Sequence, residues 1–365
     1  MKEINKVNKI SNVHFFPYQK FTEPMIHFFN TNYDEAVNLF ILYGNKIEFV
    51  GDLKKTTSYS NVIELENLSK NDFKNILKHS NKIILHYLFN YNLFFKIYFY
   101  SKKPVHILFW GSDIEYLKGN NLVSIRSRIM YKIRFTLFKQ AFKNIIPINL
   151  IDSDFVTLSN IMKINLKKNY IARYFNNNYK EDVFNLAYKH NNNCTKILLG
   201  NSATKTNNHV EIIDLLIKFQ NDPIKVYIPL SYGSKEYGDY IENYAKERLK
   251  DKVVVLRDYM DPKDYNKFLN EMDIGIFNYY RQQGLGNINR LLALRKKVYI
   301  NPKSGLFDYY QKKGLKIYST DLIKKMKYFD FINFDKQELN KNKDILINDL
   351  SEEVIKGEWD KVLSE

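Results

Sequence analysis

From Lys196 onward the chain repeats one pattern: a short apolar run, a polar turn and a segment with helical spacing of its apolar positions. The runs are Lys196–Leu199, Lys225–Pro229, Val253–Leu256, Asp273–Phe277, Val298–Ile300 and Lys316–Tyr318. Strands that alternate with helices pair in parallel and are covered by those helices, so an α/β domain on a parallel sheet is expected. The first part alternates less regularly. Its strand candidates are Val13–Phe16, Val37–Tyr43, Val62–Glu64, Ile83–His86, Val105–Phe109 and Ile145–Ile148, and its clearest helices are Asn71–His79 and Val123–Phe142. Asn-rich runs at Asn176–Asn178 and Asn191–Asn193 mark a linker. At 365 residues there is chain enough for two domains with full cores. The expected division is 1–175, a linker at 176–194, a second domain at 195–335, and a charged helical tail at 336–365. That tail is expected to pack across the first domain or to cap the second.

One turn of the second domain carries chemistry. Arg281-Gln282-Gln283-Gly284-Leu285-Gly286-Asn287 joins the strand Asp273–Phe277 to a helix expected at Ile288–Arg295. A Gly-rich turn before a helix leaves backbone N–H groups pointing outward at the positive end of the helix dipole, which is an anion site. Arg281 adds a fixed charge with two-pronged geometry, and Gln282 and Gln283 add neutral donors. Glycines alone would mean no more than a bend. Arg-Gln-Gln directly before them points to a ligand. The turn after Lys196–Leu199 has the same form, with Gly200 to Asn208 small or polar throughout and His209 opening a helix to about Phe219. Gly200 allows close backbone approach, while Ser202, Lys205 and Asn207 are donors beside a helix N-terminus. Capping by Asn207 or Asn208 is expected too, but a cap does not call for so long a polar loop. Two such loops suggest a diphosphate held at the carboxyl ends of parallel strands.

Composition removes several classes. A hydrophobic fraction of 45% excludes disorder. The most apolar stretch, Ile83 to Tyr100, carries His86, Asn90, Asn92 and Lys96, too many polar groups for a lipid-exposed span. No signal peptide is visible, and the single Cys194 leaves no internal disulfide or cysteine-cluster zinc site. A cytoplasmic protein is expected. The net charge of +16 fits nucleic acid, anionic lipid or phosphorylated ligands. Against nucleic acid, the aromatics follow core spacing and no DNA- or RNA-binding signature occurs. The charge is patterned: Arg128, Lys132, Lys139 and Lys143 share one stripe of a helix between Val123 and Asn144. Ile129, Met130, Ile133, Leu137 and Ala141 share another, expected to face the core. A basic amphipathic helix of this kind also suits a membrane surface.

Two Rossmann-like domains joined by a linker, with phosphate loops in the second, describe the GT-B architecture. Its two domains face a cleft, with the nucleotide-sugar donor in the second and the acceptor entering from the first. The residues then resemble one family. Gly200-Asn201-Ser202 with Asn207 and His209, then Pro229 and Tyr232, then Arg281 to Gly286, look like the TDP-N-acetylfucosamine:lipid II N-acetylfucosaminyltransferases, glycosyltransferase family 56. The first domain agrees through His14, Phe29-Asn30, His86 and Trp110-Gly111-Ser112-Asp113, and the tail through Gly357 and Trp359. The resemblance implies a TDP-sugar donor, no cofactor, an undecaprenyl-diphosphate-linked acceptor, and work at the inner face of the bacterial inner membrane. The chain departs from the family pattern at Ala203-Thr204, where Gly-Asp is usual, and at Arg295-Lys296, where Ala-Gly is usual. A relative building an O-antigen or capsule unit fits as well, and a fold-retaining binding protein is a third reading.

Inverting transfer needs a base for the acceptor hydroxyl and stabilisation of the departing diphosphate. Arg281, Gln282, Gln283, the N–H groups of Gly284 to Asn287, and Gly200-Asn201-Ser202 meet the second demand without metal. Retaining GT-B enzymes place two Glu near this loop, and no acidic residue occurs between Asp273 and Asp308. Asp113, after a strand end and a Gly turn, is the first candidate base, with N-capping as its alternative. His86 and His14 follow, each equally readable as a structural hydrogen-bonder. Asp152-Ser153-Asp154 resembles a metal-binding acid pair, but lies outside the nucleotide half and is expected to cap the helix after it.

Overall fold

The computed structural model describes residues 10–46, 53–88, 90–119, 124–165, 168–175, 183–187, 189 and 193–364. The runs at Asn176–Asn178 and Asn191-Asn192, and Val123, lie outside them. The chain forms two compact units, one reaching to Asn176 and including Glu352–Glu365, the other spanning Asn177–Ser351.

The first unit is built on β1 (Asn12–Pro17), β2 (Asn38–Tyr43), β3 (Val62–Glu64), β4 (Lys82–His86), β5 (Val105–Phe109), β6 (Ile145–Asn149) and β7 (Tyr170–Ile171). They form a seven-stranded parallel sheet in the order β3-β2-β1-β4-β5-β6-β7. The chain runs outward from β1 to β3 and then returns to β4, so the strand order reverses between β1 and β4. Alternate residues serve two cores. Val13, Phe15, Ile41, Ile83, Leu85 and Ile107 face one side, and Phe16, Phe40, Leu42, Ile84 and Leu108 the other. Burial on both faces explains why the strands read as continuous apolar runs.

The second face is closed by Thr22–Asn32 and by the last helix, Glu352–Ser364, through Ile355, Trp359 and Val362. Glu358 of that helix holds Arg173, with Arg173 Nη2 2.6 Å and its backbone N 2.9 Å from the carboxylate. The preceding helix, Lys336–Asp349, belongs to the other unit, where Asn342 bridges the N–H and C=O of Lys316 at 2.7 and 2.9 Å. The tail is thus two elements with different hosts.

The helix with the basic stripe spans Ile125–Ala141, and its core face differs from the expected one. Of the five residues assigned to the interior, only Ala141 is buried. The inward face is instead Phe138 and Ala141, with Phe138 edge-on to Phe94 at 5.1 Å and to Tyr91 at 5.7 Å. This helix has two apolar faces, and the one with larger aromatic surface took the interior.

The second unit holds β8 (Thr195–Leu199), β9 (Ile224–Pro229), β10 (Val253–Leu256), β11 (Ile274–Phe277), β12 (Lys297–Ile300) and β13 (Tyr318–Ser319). Their order is β10-β9-β8-β11-β12-β13, all parallel, so this sheet reverses between β8 and β11. Lys297 begins a buried strand because its ammonium donates to the carbonyls of Asp330, Phe331 and Asn333 at 3.0, 2.8 and 2.7 Å. All three donors of a buried cation are thereby satisfied. Among the described residues no helix is long and apolar enough to cross a membrane.

Candidate active site

Three loops of the second unit meet at the carboxyl ends of β8, β9 and β11. The loop after β8 is tied to the one after β9 by Ala203 N–H to Tyr232 O (2.7 Å) and Ser234 N–H to Ala203 O (2.8 Å). It is tied to the loop after β11 by Thr206 Oγ1 donating to Gln283 Oε1 at 2.7 Å, with Arg281 Nη2 3.4 Å from the same hydroxyl. Tyr279, fully buried, donates to Asn201 Oδ1 at 2.8 Å, and Asn201 Nδ2 donates to the Tyr232 hydroxyl at 2.5 Å. The residues from Gly200 to Ser202 and from Arg281 to Gln283 therefore form one network on either side of the reversal in strand order. That crevice is where α/β sheets take ligands.

Gly284 is the N-cap of the helix Leu285–Ala293, with φ of 68°, and a Cβ there would lie 2.8 Å from the Tyr279 hydroxyl. The helix thus begins earlier than Ile288. Leu285 and Gly286 fall in its first turn, where N–H groups have no intrahelical acceptor. Asn287 donates through Nδ2 to the Tyr265 hydroxyl at 3.0 Å. Gln282 is buried, and its Oε1 has no partner among the described residues.

The first loop is held from behind. Gly200 has φ of 70°, and a Cβ on it would lie 2.7 Å from both Asn207 Oδ1 and His209 Nε2. His209 is fully buried, its pKa lowered to about 4 by burial, so the imidazole is neutral and supports Gly200 from beneath. Neither asparagine caps the following helix as expected. Asn207 accepts from Asn201 N–H (3.0 Å) and donates to Ser202 O (3.0 Å), organising the loop, while Asn208 donates to Asn278 O (2.8 Å). Of the two family departures, Thr204 lies inside this network, 2.7 Å from Asn207 Nδ2. Arg295 and Lys296 directly precede β12, whose first residue pairs with the first residue of β11. They stand at the opposite end of the sheet from the loops.

In the first unit, His14 and His86 lie at the reversal between β1 and β4. Both are fully buried, with His14 Nδ1 3.0 Å from His86 Nε2. Burial lowers the His14 pKa to about 3 and that of His86 well below its ordinary value. Tautomers follow from the partners. Asn38 Oδ1, already accepting from Asn12 Nδ2, receives His14 Nε2–H at 3.4 Å. His86 then donates to His14 and accepts from the Tyr174 hydroxyl at 2.9 Å, which itself accepts from Trp110 Nε1 at 3.1 Å. The pair is a neutral, one-directional chain whose imidazoles are occupied with each other, and it continues from His86, the last residue of β4, to Tyr174.

Asp113 joins the loops after β4 and β5. Its Oδ1 accepts from the N–H groups of Trp110 and Ile114, both at 3.0 Å, and its Oδ2 from Leu88 N–H at 3.2 Å. Desolvation still raises its pKa to about 6, outweighing those donors. Asp152 and Asp154 stand in the first turn of the helix Asp152–Met162, where carboxylates complement the dipole. Arg128, Lys132 and Lys143 are exposed and Lys139 half-buried. Sequence reasoning missed Thr206, Tyr279 and Tyr174. Tyr279 adjoins the Arg281 run and was open to notice, whereas Tyr174 follows a two-residue strand with no periodic signal.

Solved structures place the architecture. The chain matches a glycosyltransferase from Rickettsia africae ESF-5 with a TM-score of 0.67 at 16% identity, over 98% of each chain. It matches Anabaena Alr3699/HepE in complex with UDP and glucose with a TM-score of 0.66 at 10% identity, over 97% of this chain and 99% of that one. An alpha-glucosyltransferase in complex with UDP matches with a TM-score of 0.58 at 10% identity, over 97% and 100%. At these identities the likeness establishes the fold, which is that of the GT-B glycosyltransferases. The profile described as "4-alpha-L-fucosyltransferase glycosyl transferase group 56" matches residues 60–344. The chain belongs to that family and is a glycosyltransferase.

Proposed function

We infer that this enzyme moves a deoxy-amino sugar of the N-acetylfucosamine type from a TDP-sugar to an undecaprenyl-diphosphate-linked saccharide, with inversion, in bacterial surface polysaccharide synthesis. The observation that carries the donor half is the Thr206–Gln283 bond, with Arg281 beside it, joining two phosphate-type loops across the β8/β11 reversal. A diphosphate there is met by the Arg281 guanidinium and the first N–H groups of Leu285–Ala293, which stabilise the charge of the leaving group. Asp113 takes the role of base, and Thr204 is where the donor sugar would differ from the family norm. A different nucleotide-sugar for an O-antigen or capsule unit is the second reading, favoured by Ala203-Thr204 inside the loop network.

The test is Arg281→Ala, titrated calorimetrically with TDP and with UDP. A loss of about 1.5–3 kcal/mol is expected for removal of a charge-assisted bond. Unchanged affinity takes Arg281 out of the phosphate site. Transfer is also expected to proceed in EDTA, since protein cations and helix N–H groups carry the charge stabilisation. Activity lost in EDTA and restored by magnesium or manganese would return Asp152 and Asp154 to consideration.

An acceptor on an undecaprenyl chain does not leave the bilayer, so the enzyme comes to the inner face of the inner membrane. Arg128, Lys132, Lys139 and Lys143 are the attractor, each contributing about 1 kcal/mol near an anionic leaflet.

A further inference from the structure

We propose that the helix Ile125–Ala141 is an interfacial anchor that seats its apolar stripe among the acyl chains of an anionic bilayer, beyond what charge alone supplies. The proposal deepens the lipid-linked reading above, which supplies the bilayer, and its test is kept separate from transfer.

Five large apolar side chains of this helix face outward: Ile125 is 77% exposed, Ile129 54%, Ile133 51%, Leu137 45% and Met130 42%. Single exposed apolar residues are ordinary on a protein surface, but a contiguous row marks an interaction site. At 3.6 residues per turn, Ile125, Ile129, Ile133, Leu137 and Met130 fill an arc of about 140°. Arg128, Lys139 and Lys132 fill the next arc of about 40°, by the same geometry. Tyr131, Phe135, Phe138 and Ala141 take the inward remainder. Arg126, Thr136 and Gln140 are the polar members of the outward arc, and an arginine there can extend its head to the interface. Tyr116, 44% exposed and edge-on to Tyr131 at 6.2 Å, adds an aromatic ring beside the helix.

Charge selects the occupant. The helix carries Arg126, Arg128, Lys132, Arg134 and Lys139 and no Asp or Glu, in a chain of net charge +16. A second copy docked through this face would set like charges against like. An apolar row beside a cationic row meets its complement in a lipid surface with anionic headgroups.

The full chain and an Ile129→Ser/Ile133→Ser double variant are mixed with phosphatidylglycerol-containing vesicles and with neutral phosphatidylcholine vesicles. Thermal melting confirms that the variant folds, since both residues are exposed. The wild type is expected to keep a bound fraction in 1 M salt, where screening is nearly complete, and the variant to lose it. Partition at low salt should fall at least about tenfold in the variant. Acyl-brominated lipid should quench the added indole of Ile133→Trp. Equal partition of variant and wild type, with release only on reversing Lys132 and Lys139, overturns insertion in favour of surface charge. So does a dimer in sedimentation that the double variant dissolves without any vesicle binding, which would make a second copy the occupant. Intact partition with no use of a lipid-linked acceptor upholds the anchor and refutes the acceptor assignment instead.

Discussion

Replacing Asp113 with Asn is expected to lower turnover about 10²–10⁴-fold, as for loss of a general base, while donor affinity holds. Burial raises the Asp113 pKa to about 6 against the pull of backbone N–H groups that include those of Leu88, Trp110 and Ile114, giving a carboxylate more basic than an exposed one. A base acts deprotonated, so the wild-type rate should fall as pH drops through about 6, and the Asn variant should lack that limb. The linkage to stability runs the other way. The folded pKa lies above the ordinary carboxyl value of about 3.9, so ionisation costs the folded state, and stability falls as pH rises from about 4 to about 6. Asp113→Asn removes that slope. Its amide cannot accept the Leu88 N–H bond, a loss of about 1–3 kcal/mol, so rates must be compared well below the melting temperature. A near-wild-type rate in Asp113→Asn, with a loss in His86→Ala, moves the role to the imidazole chain acting through Tyr174.

Trp359→Ala should cost about 3–5 kcal/mol of folding stability, the range for deleting a buried large aromatic. The indole is fully buried, edge-on to Phe29 at 4.9 Å and stacked on His86 at 5.5 Å, and it donates to Arg173 O at 2.9 Å. Truncation leaves a cavity against the His14–His86 pair and removes the hydrogen bond to Arg173 O. Trp359→Phe should recover most of the packing and leave a deficit of about 1 kcal/mol for the hydrogen bond. Urea unfolding measures both. A loss below about 1 kcal/mol in the alanine variant would mean that the last helix does not hold the second face of the first sheet.

The strands were legible because buried parallel strands are continuous apolar runs, and twelve of the thirteen among the described residues lie within a residue or two of the expected positions. The exception shows the limit: β7 has two residues, too short for a pattern. The loops were legible too, since Gly, Arg and amide side chains in a strand–turn–helix setting need no tertiary information. Their connection was not. Nothing in sequence spacing joins Thr206 to Gln283, or Asn201 to Tyr279, because each pair is brought together only when β8 and β11 become neighbours. Asn207, expected as a donor, organises the loop, and it and His209 lie against Gly200, a placement that depends on which side of the loop each side chain takes.

The sequence by itself determined the class of sheet, the positions of two Gly-containing polar loops and the family, all carried by local pattern and residue identity. Tertiary structure alone decided which apolar face of Ile125–Ala141 was buried, since two faces competed and only packing against Phe94 and Tyr91 chose the aromatic one. It also divided the tail, because Arg173 and Phe29 in one unit and Lys316 in the other are partners that no local pattern names. Local pattern sets what an element is. The surface it covers depends on partners far away in the chain, and those exist only once the sheets have formed.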